Sequence, residues 1–412
     1  MRMIGRDQLY APARVASIEI SSLPTADDID VEGYETLWCL TRDQGIPQGI
    51  SFWDVRDDRL VSPRVIVELL LAAGALGTGD TMGEVTTSVD SEVELTVVIC
   101  THERPDDLKR ALSSLVDQSD KIFRTVIIDN APKSLATAQV VEAASLPDCD
   151  YVIEPRKGLS RARNTALAHV TSEYVAWMDD DEMADKDWIK RLKQGFGHVS
   201  RPAAVCGLML PAELETMPQV LFEQYGGFNK GRGLVTEVLT RSAPSVVSPL
   251  YPLPTIGSGG NMAFRTASLR ATGGFDPSLG AGTRTHSGEE TKVFCTLLRS
   301  DETVLHWPSA ITWHFHRRRM DQLQQQFYGY SSGLPAFYMS MIRSEPATIW
   351  EIIRLVPHAL RDLGFRKGGM KLDQIPDGFP KELLRAGHRG LATGAFRYVS
   401  QALLDRPGRQ RS

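Results

Sequence analysis

"LTVVICTHERPDDLKRALSSLVDQ" occupies residues 95–118. Leu95 to Cys100 is an unbroken apolar run, suited to a strand buried on both faces of a parallel sheet. Four polar residues follow, Thr101 to Arg104. Pro105 then opens a segment in which Leu108, Leu112 and Leu115 recur at helical spacing. The same order returns downstream. "TVIIDN" (125–130) reads as a second buried strand, "ARNTALAHV" (162–170) as a helix and "YVAWMDDD" (174–181) as a third strand. Strand, helix, strand, helix, strand predicts right-handed crossovers and an α/β fold. Its mixed, mostly parallel sheet is flanked by helices. Ligands of such sheets bind outside the carboxyl ends of the strands. Three polar clusters fall there: Thr101 to Arg104, Asp129-Asn130, and Asp179-Asp180-Asp181.

Outward from this core the chain divides into a β-rich unit (1–90), a catalytic unit (91–317) and a helical region (318–412). In the first, "ARVASIEI" and "YETLWCLTRDQGIPQGISFWDV" read as strands with a turn at Gly45-Ile46-Pro47. "SPRVIVELLLAAGAL" reads as a helix capped by Ser62 with Pro63 in its first turn. Residues 77–92, rich in Gly, Thr and Ser, read as a linker. In the last, residues 320–342 and 346–369 read as helices. The second puts Ile349, Ile352, Ile353, Val356 and Leu360 on one side. That face suits core packing, or a basic amphipathic surface on a membrane.

The totals narrow the function classes. The 412 residues exceed one ordinary core. A net charge of −5 argues against a whole-protein footprint for nucleic acid. The five cysteines are odd in number and lack C-x-x-C spacing, which fits reduced thiols in a cytosolic setting. The longest near-apolar stretch, 65–76, contains Glu68 and is far short of the ~20 residues of a membrane span.

Several clusters carry candidate chemistry. Asp179 and Asp181, two apart at a strand end, can converge on one hard cation such as Mg²⁺ or Mn²⁺, which commonly shares its shell with substrate phosphates. The plainer alternative is a solvated acidic turn. Glu182 onward reads as the start of the following helix. "ITWHFHRRR" (311–319) puts His314 and His316 on one face of a strand, as metal or phosphate ligands, followed by three arginines. "TIGSGGNMAFR" (255–265) supplies Gly259 and Gly260, which let backbone approach a ligand, next to Asn261. It is neither a dinucleotide fingerprint nor a phosphate-binding P-loop. Glu289 and Glu290 open an apolar-periodic helix, as capping residues or as a general base.

In this order the segments resemble the inverting glycosyltransferases of family 2, with a GT-A fold. The resemblance rests on "VVICTHERPDDLKRALSSL", "VIIDNAP", "GLSRARNTAL", "VAWMDDDE", "GGNMAFRTASLRATGGFDPSLGAGT", "SGEETKVF" and "WHFH". It spans about residues 93–335. It implies that Thr101, Glu103, Asp129 and Asn130 surround the nucleotide, with Arg163 and Asn164 near the donor. Asp179 and Asp180 would join the donor site, and Asp181 would hold the metal with His314 or His316. Gly259, Gly260, Asn261 and Glu289 would contact substrate, and Glu290 would be the catalytic base. Three positions depart from the family pattern. Glu290 stands where Asp is usual, and Cys100 and Glu103 stand where Pro and Asn are usual. The implied activity is metal-dependent transfer of a sugar from a nucleotide-diphosphate sugar, a UDP-sugar first, to an acceptor hydroxyl in a single displacement. The acceptor would be a glycan, a lipid-linked sugar or a small molecule. Peripheral contact with the inner face of the membrane and a homodimer complete the partner expectations. The alternatives are a metal-dependent nucleotidyltransferase and a non-catalytic carbohydrate-binding protein.

Overall fold

A computed structural model describes residues 1–76, 93–229, 233–243, 246–251, 257–367, 370–371, 376 and 378–405. The expected linker at 77–92 lies outside them. So do the side chains of residues 359–371, Leu360 among them.

The apolar runs form one sheet of nine strands. Its order is Glu182–Ala184, Val304–His314, Ala204–Pro211, Met262–Arg265, Tyr174–Asp179, Leu95–Thr101, Phe123–Asn130 and Cys149–Glu154. Glu237–Leu239 pairs with Val304–His314 off this path. The last four strands of the order are parallel to one another. Met262–Arg265 runs antiparallel between two neighbours. Six of the nine strands point one way, so one end of the sheet gathers most of the carboxyl termini.

Both faces are covered, as continuous apolar strands require. Helices Pro105–Val116 and Trp188–Phe196 bury Leu108, Leu112, Leu115, Trp188 and Leu192 against Val97, Ile99, Ile127 and Ala176. Leu159–His169 and Glu289–Arg299 bury Ala162, Ala166, Val293 and Phe294 against Val98, Val126, Val175 and Met262. Alternate residues of the Leu95–Thr101 strand therefore serve opposite layers, as a period of two demands.

One local expectation fails at the acidic run. Glu182 does not begin a helix: Glu182–Ala184 is a short strand antiparallel to the end of Val304–His314. The helix begins only at Trp188. The pairing matches Glu182 with His314, so a long-range contact overrides the local helix signal.

The N-terminal residues make a four-stranded sheet and a helix, Pro63–Ala72, that starts with Ser62 and Pro63 as expected. Leu9, Trp38, Leu40 and Phe52 of this layer share one apolar cluster with Leu208, Leu210, Leu214 and Ile311. At the other extreme, helices Met320–Ser344 and Lys381–Leu404 pack together. Gly390 and Gly394 make room for the backbone around Ser332. Thr348–Phe365 sends Ile352 and Leu355 toward Phe337 and Met341. Ile349, Trp350, Ile353 and Val356 are exposed, so the expected single apolar face is divided. Among the described residues, no helix is long and apolar enough to cross a membrane.

Candidate active site

The carboxyl ends of the parallel strands open into a cavity of about 810 Å³. Thr101, Asn130, Arg163, Asp179, Asp180, Asp181, Gly259, Glu289, Glu290 and His314 all line it. They come from seven separate segments: Thr101, Asn130, the aspartates and His314 from strand ends, Arg163, Glu289 and Glu290 from helices, and Gly259 from a loop, all on the same edge of the sheet.

The three aspartates have different surroundings. Asp180 accepts from Thr101 Oγ1 (2.7 Å) and from Arg104 (3.0 Å). Burial pushes its carboxyl up to about 7 against the pull of Arg104. Asp181 Oδ2 accepts from Arg104 (3.1 Å) and pairs with Arg317 (3.0 Å). Burial would raise its carboxyl, but Arg317 and Arg104 oppose that and it lies below the usual carboxylate range. Asp179 is the most open, with 38% of its side chain exposed and Arg163 at 3.5 Å. The sequence places Arg104 in a strand-end cluster and Arg317 among three arginines after the histidines, but does not pair either with the aspartates. Their signal was weak: Arg104 is a lone basic residue after a strand. Arg317 is one of three consecutive arginines, and the other two pair at the surface with Glu213 and Asp321.

His314 lies behind Asp181, with Nε2 at 3.5 Å from Oδ1. Its Nδ1 meets His316 Nδ1 at 2.8 Å, and His316 Nε2 meets a Glu223 oxygen at 3.0 Å. A carboxylate only accepts, so His316 donates from Nε2, and in the neutral ring Nδ1 is then the acceptor. His314 therefore donates from Nδ1 and keeps a bare lone pair on Nε2. Burial holds its ring neutral, with a pKa of about 3. Glu223 reaches this position because Gly227, at φ +54°, has no side chain; a Cβ there would lie 2.2 Å from the Glu223 carboxylate.

This arrangement suits a cation. A lone pair and a carboxylate oxygen of two buried side chains face each other with no proton between them. A carboxylate backing a metal-binding histidine through its second nitrogen is the usual supporting arrangement. Oε2 of Glu289, in the cavity wall, also lacks a hydrogen-bond partner. His316 itself has both nitrogens engaged and stands behind His314, away from the cavity. Among the described residues, no three His, Cys, Asp or Glu side chains converge as a ready-made cage. A cation here would use two protein ligands and take the rest from solvent or substrate, the habit of Mg²⁺ and Mn²⁺.

Glu289 and Glu290 begin helix Glu289–Arg299, entered through Gly288 at φ +102°. A Cβ at Gly288 would lie 2.8 Å from the Gly333 carbonyl oxygen, so glycine lets the helix start against Met320–Ser344. Glu289 is buried and bonded to Arg163 (3.0 Å), which also donates to the Gly259 carbonyl (2.9 Å). Burial, then Glu290, push the Glu289 carboxyl up to about 8. Glu290 is partly exposed and opens into the cavity.

Five expected contact residues are placed elsewhere. Asp129 accepts from Tyr151 Oη (2.6 Å), and exposed Glu103 accepts from Lys133 N (2.8 Å). Asn164 bridges the Phe275 backbone through both ends of its amide. Asn261 accepts from Trp188 Nε1 (2.9 Å) and donates to Leu208 (3.0 Å) and Ala310 (2.9 Å) carbonyls. Gly260 admits Glu182, whose Oε1 would lie 1.8 Å from a Cβ. None of the five lines the cavity. Asn130 does, though its amide is held by Gly158 N and the Glu154 and Arg156 carbonyls.

Cys100 also lines the cavity. Burial pushes its thiol up to about 12, so it is no thiolate nucleophile near neutral pH.

The mixed sheet with an acidic site at its carboxyl edge defines an α/β protein of GT-A type. Residues 96–232 match the Glycosyl transferase family 2 model. The chain is 25% identical over 250 residues to the pre-mycofactocin glycosyltransferase of Mycobacterium tuberculosis, covering 59% of this chain and 47% of that one. It is 29% identical over 119 residues to the succinoglycan biosynthesis protein ExoM of Rhizobium meliloti, covering 28% and 38%. It thus spans less than half the length of these relatives. A mannosyltransferase from Pyrobaculum calidifontis, solved with GDP-Man and Mn²⁺, aligns over 76% of each chain at 17% identity and a TM-score of 0.44.

Proposed function

We propose that the protein is an inverting glycosyltransferase that moves a sugar from a nucleotide-diphosphate sugar, a UDP-sugar first, to an acceptor hydroxyl. The observation that carries this reading is the gathering of Asp179, Asp181, His314 and Glu290 around one cavity. Asp181 and His314 would hold a divalent cation, with Asp179 beside it. When bound, that cation supplies compensation for the charge that develops on the departing diphosphate. Thr101, through Asp180, orients the acidic run. Arg163 fixes Glu289 and the Gly259 backbone, which sets the wall where donor and acceptor meet. Glu290 accepts the acceptor's proton as its oxygen bonds to the anomeric carbon and the bond to the diphosphate breaks. Proton, sugar and nucleotide diphosphate are then accounted for in one displacement, without a covalent enzyme intermediate.

We also retain the division at residues 90 and 317 as a proposal. A reducing, cytoplasmic setting is part of the same proposal, supported by five cysteines that are odd in number and lack C-x-x-C spacing. The reading is tested by incubating the full chain with a panel of nucleotide sugars and Mn²⁺, with and without EDTA. Release of nucleotide diphosphate from one donor, lost in EDTA and in Asp181→Ala, is expected. Release unchanged in both would refute it.

A further inference from the structure

The cavity has two chemically different ends. At one, Thr101, His102, Asn130, Lys157 and the aspartates supply charge and hydrogen bonds. At the other, the lining comes from the end of helix Met217–Gln224, from Phe228 and from the two long C-terminal helices. An aromatic wall starts at the metal-side histidine. Phe228 lies 4.7 Å from His314, ring to ring, and also packs on Phe222 (5.0 Å) and Tyr330 (6.3 Å). Tyr225 packs on Phe327 (4.7 Å), and both lean on Phe379. Each ring is held by the next, so the wall is built before any ligand arrives.

The C-terminal helices extend this wall. Phe327, Tyr330, Leu334 and Tyr338 recur at steps of three and four on one, so they share a face. Leu384, His388 and Leu391 do the same on the other. His388, Ser331 and the hydroxyls of Tyr330 and Tyr338 are the polar groups here, and Tyr330 Oη already accepts from Gln326 Nε2 (2.9 Å). A nucleotide diphosphate gains nothing from such a surface. A bare sugar would give up water at its hydroxyls here for few replacements. An alkyl or aryl body gains roughly 25 cal/mol for each Å² it buries.

We propose that this arm binds the acceptor, and that the acceptor carries its attacking hydroxyl on an apolar alkyl or aryl body. The proposal rests on the transfer reading above, and it adds the substrate class. The arm is continuous with the reaction centre through the Phe228–His314 contact, so an occupant of the arm can present a hydroxyl to Glu290. Phe222, Tyr225 and Phe228 lie within the family match at 96–232, whereas the two long helices that extend the wall lie beyond it. The acceptor class is therefore set jointly by the matched segment and by helices outside it.

The test is direct binding by calorimetry, in Mn²⁺, of hexyl glucoside, phenyl glucoside and free glucose to the full chain. At least ten-fold tighter binding of one or both glycosides than of glucose is expected. Hexyl or phenyl preference identifies the alkyl or aryl source. The double variant Leu384→Ser/Leu391→Ser should lose the preference. Phe396→Ser, 76% exposed on the same helix and outside the cavity, should keep it. Equal affinity for glucose and both glycosides overturns the proposal, and so does a preference that survives the double variant. Neither comparison of wild-type affinities depends on how the variants fold. Nucleotide release is measured in parallel. A donor panel with no turnover, beside an intact glycoside preference, counts against the transfer reading and not against the arm.

Discussion

His314 and His316 meet through their Nδ1 atoms at 2.8 Å, and that single contact decides which nitrogen of His314 faces Asp181. The pairing turns two histidines two residues apart into one ligand and one support. Glu223, 93 residues from His316 in the chain, completes the relay.

Glu223→Ala should therefore weaken Mn²⁺ binding by roughly 10–100-fold, the usual cost of losing an outer partner. Glu223→Gln, whose amide oxygen still accepts from His316, should recover much of the loss. Mn²⁺ affinity measured by electron paramagnetic resonance, without substrate, checks this. Affinity unchanged in Glu223→Ala would show that His314 needs no such support.

Glu290→Gln should lower kcat for transfer by roughly 10²–10⁴ while the dissociation constant for the nucleotide sugar stays within about three-fold. Single-turnover transfer alongside equilibrium donor binding separates the two effects. A matching loss of donor affinity would make Glu290 a binding residue instead.

Asn261 reads from the sequence as a substrate contact, yet its three hydrogen bonds all go to the protein interior. Asn261→Ala should cost about 3 kcal/mol of stability by stranding buried partners. Chemical denaturation measures it. Stability within 0.5 kcal/mol of the wild type, roughly the effect of a surface change, would contradict the structural role.

Glu289 gives a pH signature. Its folded pKa, about 8, lies above the ordinary 4.5 because burial penalises the charged form more than Arg163 favours it. A raised folded pKa contributes stability that is fully present below about 4.5 and lost as the pH climbs through 8. The melting temperature should fall by roughly 3 °C across that window. Glu289→Gln should flatten this fall. A melting curve that rises with pH over the same window, or falls equally in the variant, would contradict the assignment.

Much of the architecture was already legible in the chain. Continuous apolar strands such as Leu95–Thr101, alternating with amphipathic helices, imply a buried sheet covered on both faces, because only that arrangement hides both sides of such a strand. The acidic run at Asp179 to Asp181 follows Met178 at a strand end, and the ligand edge of the sheet follows from that. What the sequence could not supply were the partners of those residues. Glu182 becomes a strand because residues beyond 300 pair with it. Asp129 turns to the Tyr151 hydroxyl, and Asn164 and Asn261 turn inward to distant backbone groups. Glu223 enters the site from a position with no motif of its own, and the pairing of Arg104 and Arg317 with Asp181 shows only in space. Local pattern determined which elements form and which edge holds the chemistry. Only the tertiary structure decided which polar side chains face the cavity and which are used up holding it in shape, since hydrogen-bond partners are a matter of distance in space and not of spacing in the chain.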